Sequence, residues 1–215
     1  MYDLIKGVLF DFDGIAVKSM EQHYEAWSKA LAEKGCSIKK EDFLVLEGQG
    51  VKEISNAIGR TFNLNQQDIN ELGERKSFYY KQIMHLEFYP YFFGLLKVLK
   101  NKNLKMGVVT GGAKSRVSSV VENHFGEYFQ CLITVDDVMR GKPFPEPFLK
   151  GAEFLGIKPD ECIVIENAPK GIEAAVKAGM TVIAVKTTLT EKYLNQAHYI
   201  VEDFQQVEKL ILSLL

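Results

Sequence analysis

Cysteine is scarce in this chain of 215 residues: Cys36, Cys131 and Cys162 are the only three. Their odd number, without the C-x-x-C spacing of a metal site, reads as small core side chains in a reducing compartment. An excess of either charge is missing too. With 26 Lys and Arg against 28 Asp and Glu, the net charge is -2, which leaves no basic footprint for nucleic acid. No apolar run approaches the ~20 residues of a membrane-spanning helix. The opening residues are broken by Asp3 and Lys6 before Asp11, so no signal-peptide layout is present and a cytoplasmic protein is expected. Internal repeats and low-complexity segments are lacking as well.

What is present is an ordinary globular composition, 47% hydrophobic and 25% charged, sufficient for one large core or one core with an insertion. Apolar runs at Lys6–Phe10, Lys105–Val109 and Glu161–Ile165 have the length and composition of buried parallel strands. Shorter strands are expected near 131–135, 181–185 and 198–201. Helical patterns fill 20–35, 41–61 and 66–84 without an intervening strand. Further helices are expected near 91–102, 114–125, 146–156, 169–178 and 203–214, with Gly156 and Gly179 placed as stops. This order predicts an α/β doubly wound parallel sheet over residues 1–17 and 88–215, carrying an all-helical insertion over 18–87. An insert at the carboxyl end of the first strand would lie over the crevice as a cap.

Four segments place reactive residue types at the ends of apolar runs, where the loops of an open parallel sheet converge. Asp11 and Asp13 in Asp-Phe-Asp-Gly14 can supply a nucleophile and a general acid/base for phosphoryl transfer. A calcium loop would need more oxygen ligands than Ala16, Val17 and Lys18 provide. Two carboxylates and a phosphate repel one another, so positive charge is required. Lys142, held in Gly-Lys-Pro-Phe-Pro-Glu-Pro by Pro143, Pro145 and Pro147, is the candidate ammonium. Thr110 and Gly111, at the end of Val108-Val109, can hold phosphoryl oxygens through a hydroxyl and nearby N–H groups. Glu166 offers Mg²⁺ a hard oxygen and Asn167 a neutral carbonyl, although Asn167 could equally start the next helix. Taken singly, each reads as well as a solvated turn or surface residue; jointly, in this order and all at strand ends, they read as one site.

With these motifs in hand, the chain resembles the haloacid dehalogenase superfamily, in its branch with a helical cap between the first and second motifs. The resemblance runs through Phe10–Gly14, Val108–Gly111, Gly141–Pro147 and Val164–Ala175. It implies a Rossmann-like core with the first strand central and Mg²⁺-dependent phosphoryl transfer. By analogy the Mg²⁺ ligands are Asp11, the main-chain carbonyl of Asp13 and the Glu166-Asn167 pair, and the Lys142-Pro143 bond is a candidate for cis. Two departures stand out. Asn167 replaces the Asp of most relatives, which should weaken Mg²⁺ binding, and Lys18 occupies a usually acidic hinge position.

The resemblance is nearest to β-phosphoglucomutases and to sugar-phosphate or pyrophosphate hydrolases. His23 and Lys76 speak for a mutase, where similar cap residues assist closure. Glu47 and Val51 speak against it, because mutases place basic residues there for a distal phosphate. At 4 Å two unit charges interact by ~4 kcal/mol at an effective dielectric of about 20, so an anion at Glu47 discriminates against a bisphosphate. Lys52 is adjacent. The expected function is a Mg²⁺-dependent phosphatase acting on a small soluble phosphate through an aspartyl-phosphate. The alternatives are a β-phosphoglucomutase and a non-catalytic phosphometabolite-binding protein. The expected partner is a small phosphorylated molecule, not nucleic acid or membrane; a monomer is expected, an oligomer being left open.

Overall fold

The computed structural model of the protein describes residues 5–215; Asp3, used above for the N-terminal reading, lies outside the described residues. Six strands form one parallel sheet: β1 (Gly7–Phe10), β2 (Lys105–Val109), β3 (Cys131–Ile133), β4 (Cys162–Glu166), β5 (Thr181–Val185) and β6 (Tyr199–Val201). Their order is β3-β2-β1-β4-β5-β6. β1 is therefore central, with Gly7–Phe10 in register with Lys105–Val108 on one side and Cys162–Ile165 on the other. Both neighbours reverse direction of winding at β1, which opens a crevice at the carboxyl ends of β1, β2 and β4.

Alternation along β1 divides the core in two. Val8 and Phe10 pack with α5 (Phe92–Asn101), α6 (Lys114–Phe125) and α10 (Phe204–Leu214), whereas Leu9 packs with α7 (Glu146–Leu155) and α8 (Pro169–Lys177). Burial on both faces explains the near-continuous apolar runs of these strands. Phe92 is a keystone of the first layer, meeting Phe10 at 5.7 Å, Phe125 at 5.8 Å and Phe204 at 5.2 Å between ring centroids. Phe92→Ala is expected to destabilise the fold by about 3–5 kcal/mol, read from the urea midpoint. A change below ~1 kcal/mol would show that this layer repacks.

Four helices stand between β1 and α5: α1 (Met20–Ala32), α2 (Lys40–Leu44), α3 (Val51–Thr61) and α4 (Gln66–Ile83). α1 and α3 both pack on α4, around Trp27, Leu31, Phe43, Ile58 and Leu72. The pattern over 41–61 suggested one helix, but the chain leaves the helix at Val45 and re-enters at Val51. Gly48 is the reason. Its φ of +89° is a left-handed conformation that a helix interior cannot contain. β3 is shorter than expected because Thr134 instead accepts the amide of Asp137 and starts a 3-10 turn over Val135–Asp137. The one-turn α9 (Glu191–Leu194) was not visible in the sequence pattern.

Lys18 now has a structural account. The two strands of chain that enter and leave the helical segment run side by side, with an isolated antiparallel bridge between Val17 and Phe88. Lys18 donates its amide to Glu87 O at 2.8 Å and its ammonium to Glu87 Oε1 at 2.6 Å. The basic residue is thus matched by an acid on the opposite strand. Among the described residues no helix is long and apolar enough to cross a membrane.

Candidate active site

β1 delivers Asp11 as a direct continuation of the sheet, its amide bonded to Ile165 O at 3.0 Å. Two residues later Gly14, at φ +86°, turns the chain; a side chain there would collide with the Asn167 amide. Lys142 arrives from the loop before α7. Its bond to Pro143 is cis, and Glu146 accepts the amides of Met139 and Arg140 at 2.8 and 3.0 Å, which fixes the loop. The ammonium donates to Asp11 Oδ1 at 2.7 Å and to Glu166 Oε1 at 2.8 Å. All three groups are buried. Burial pushes the Asp11 carboxyl up to about 8, Lys142 opposing it and Glu166 adding to it. Burial would lower Lys142, but the carboxylates of Asp11 and Glu166 outweigh it and leave the ammonium above its usual range.

Glu166, at the end of β4, accepts the amides of Asn167 and Ala168 through Oε2, both at 2.7 Å. These amides precede α8, which starts at Pro169 without a side-chain cap, so the capping role open to Asn167 in the sequence is not used. Asn167 donates Nδ2 to Thr188 Oγ1 at 3.0 Å, while its buried Oδ1 has no protein partner. Thr110 stays in the ladder through its amide, bonded to Ile133 O at 2.9 Å, and its hydroxyl accepts from Gly112 N at 2.9 Å.

A second cluster surrounds Asp13. Oδ1 accepts from Ser19 Oγ at 2.6 Å, from His23 Nε2 at 3.1 Å and from Arg116 Nη1 at 2.9 Å, while Oδ2 accepts from Arg116 Nη2. Burial alone would raise Asp13; Arg116 and His23 more than offset it and hold the carboxyl well below the usual range. His23 Nδ1 faces Lys76 Nζ at 2.8 Å. Burial and the Lys76 charge bring the imidazole down to about 3, so it is neutral and accepts at Nδ1. Burial lowers Lys76 to about 8 and raises Glu47 to about 7, each opposed by the other's charge.

The two clusters share one cavity of about 460 Å³. Asp11, Asp13, Thr110 and Gly111 line it from the sheet; His23, Glu47, Val51 and Lys76 line it from the helical segment. Lys142, Glu166 and Asn167 do not line it; Lys142 reaches it through its bond to Asp11. Lys52 belongs to a separate groove between α3 and α4. The helical segment is closed over the crevice: a side chain on Gly111 would run into the backbone of Gly48 and Gln49. Sequence reasoning missed Arg116, Ser19 and Tyr80. The available signal was an arginine six residues after Thr110, beside the Val117, Val121 and Phe125 stripe of α6.

Two carboxylates, a lysine and a hydroxyl at the carboxyl edge of a doubly wound sheet, with helices folded over them, define an enzyme of the phosphatase class. The model of the family described as haloacid dehalogenase-like hydrolase matches residues 8–185. The chain belongs to that family. Fructose-1-phosphate phosphatase YqaB of Escherichia coli is 29% identical over 191 residues, 86% of this chain and 99% of that protein. Hexitol phosphatase A of Escherichia coli is 26% identical over 216 residues, covering 94% of this chain and 93% of its own. Among solved structures, β-phosphoglucomutase from Clostridium difficile superposes with a TM-score of 0.81 at 26% identity, over 98% of this chain and 97% of that one.

Proposed function

We propose that the protein is a Mg²⁺-dependent phosphatase acting on a small soluble phosphate, a sugar phosphate or pyrophosphate, through an aspartyl-phosphate at Asp11. The observation that carries the reading is the shared cavity, with Asp11 and Asp13 on its sheet side and Lys142 buried against Asp11. Asp11 would attack phosphorus while the bond to the leaving oxygen breaks, and that oxygen would take a proton from Asp13, which carries one only after release from the Arg116 fork that holds it ionised here. Asp13 would then take a proton from water as the water oxygen attacks phosphorus, breaking the bond to Asp11 and releasing inorganic phosphate. Thr110 and the Gly111 backbone would orient the phosphoryl oxygens, and Lys142 would oppose their charge before and during transfer. Residues 18–87 would act as a cap that excludes water, over a catalytic core of 1–17 and 88–215.

The donor set fits Mg²⁺. A buried Asn167 oxygen without a partner and an Asp11 carboxyl raised to about 8 mark a pocket of hard oxygens short of positive charge. Asp11, the Asp13 carbonyl and Asn167 would hold the ion. Glu166, with both oxygens already engaged by Lys142 and backbone amides, would act by way of water. Among the described residues no three His, Cys, Asp or Glu side chains form a metal cluster, consistent with an amide replacing one carboxylate. When bound, the ion would supply charge neutralisation for the phosphoryl group. Excess chelator is expected to stop phosphate release from a panel of sugar phosphates and pyrophosphate, with added Mg²⁺ restoring it. Undiminished turnover in chelator would remove the metal from the reading.

One observation favours a mutase as second reading: the chain of bonds Lys76–His23–Asp13 joins the helical segment to the acid/base residue. Glu47 in the same cavity weighs against a second phosphate at that end. β-Glucose 1-phosphate with a trace of bisphosphate separates the two. Free phosphate supports the hydrolase; glucose 6-phosphate without free phosphate supports the mutase.

A further inference from the structure

Asp13 is heavily engaged in this structure. Its Oδ1 accepts from Ser19, His23 and Arg116, and its Oδ2 from Arg116, so Oδ1 is filled and the Arg116 fork lies across both oxygens. Of these three partners, Ser19 is buried at the start of α1, and His23 is anchored at its other nitrogen by Lys76 at 2.8 Å. Arg116 differs from both. Its side chain keeps 21% of its surface exposed and lines the cavity, between the ring of Phe12 at 5.8 Å and that of Tyr80 at 5.6 Å. The aromatic faces hold the guanidinium plane while leaving the fork free to change partners.

We infer that Arg116 determines the leaving group: its fork passes from Asp13 to an anionic group, carboxylate or phosphoryl, carried by the departing part of the substrate. The inference rests on the phosphatase reading and narrows its substrate class. A guanidinium stays charged and presents parallel donors that match a carboxylate or phosphate. Exchange of one anion for another keeps this partly buried cation paired throughout, and it frees an oxygen of Asp13 at the moment substrate is seated. A leaving group that bears only hydroxyls cannot take the fork, so Arg116 stays on Asp13. Lys76 and Lys81 add positive charge to the same space; Glu47 opposes an anion at its own end, with Lys76 offsetting part of that charge.

The test compares kcat/KM for pyrophosphate and 2-phosphoglycolate with glucose 1-phosphate and fructose 1-phosphate, in the wild type, Arg116→Gln and Arg116→Lys. The expected result is that at least one anionic-leaving-group substrate is preferred by the wild type. Its advantage should fall by about 30-fold in Arg116→Gln, mainly through KM, and return in part in Arg116→Lys. Preference for pyrophosphate identifies the anion as phosphoryl, preference for phosphoglycolate as carboxylate. An equal loss on all four substrates, or no wild-type preference, overturns the inference. Calorimetric binding of methylenediphosphonate against methylphosphonate provides a readout independent of turnover. If the wild type hydrolyses nothing, the phosphatase reading fails, and the inference fails separately if Arg116→Gln weakens both phosphonates alike.

Discussion

Asp11→Asn is expected to lower phosphate release at least about 10⁴-fold. The substitution is nearly isosteric, and an amide oxygen neither carries the charge nor forms the mixed anhydride with phosphorus that the proposed mechanism asks of the carboxylate. Lys142, Thr110 and the second carboxylate all remain, so binding survives while the covalent step is lost. The scale of the loss follows from the difficulty of the reaction. Phosphate-monoester hydrolysis can require acceleration of ~10²¹-fold, about 29 kcal/mol, so positioning and charge must act together on the attacking group. The check is a phosphate-release assay beside an unfolding curve. A folded variant that keeps a tenth or more of the activity would show that another group attacks.

Lys142→Met is expected to damage both folding and turnover. The ammonium is the shared partner of Asp11 and Glu166, all three groups being buried. A methionine fills similar volume but leaves two carboxylates facing each other without a counter-charge, which costs about 3–5 kcal/mol. Turnover should fall about 10²–10³-fold for loss of one preorganised cation. The stability effect has a sign in pH. Asp11 has a folded pKa raised from 3.8 to about 8, so it binds its proton more tightly folded than unfolded. Its contribution therefore favours folding at low pH and is lost as pH rises through 8. Removing Lys142 pushes this carboxyl higher still, so the variant's deficit should be small near pH 5 and large at pH 8. Added Mg²⁺ should narrow it at pH 8. Urea unfolding at both pH values, with and without Mg²⁺, measures this; a deficit independent of pH and Mg²⁺ would mean that the lysine acts by packing alone.

Much of this arrangement was legible because strands buried on both faces must be apolar throughout. Lys105–Val109 and Glu161–Ile165 announce themselves in that way, and Thr110 and Glu166 follow as strand-end residues. The break at Gly48 was not legible, because flanking residues on both sides keep a helical period and only the backbone angle shows the turn. Arg116 was missed for a different reason. It sits in the first turn of α6, where a lone arginine is ordinarily solvated, and only folding brings it to Asp13, 103 positions earlier in the chain. Glu47 and Lys76 were named from resemblance, and what the sequence could not convey is that they line one cavity and act on each other by charge, with His23 bonded to Lys76. At β4, the alternative of Asn167 as a helix-start residue falls away: α8 has no side-chain cap, and Asn167 turns its amide to Thr188 instead.

The most direct single measurement is acid quenching of the Mg²⁺-loaded enzyme during turnover of an aryl phosphate, followed by peptide mass spectrometry. A phosphoryl group on the peptide that carries Asp11, absent from the Asp11→Asn variant, is the expected result. Phosphate released at full rate with the adduct on another residue, or with no dependence on Asp11, would contradict the assignment of the nucleophile and the site built around it.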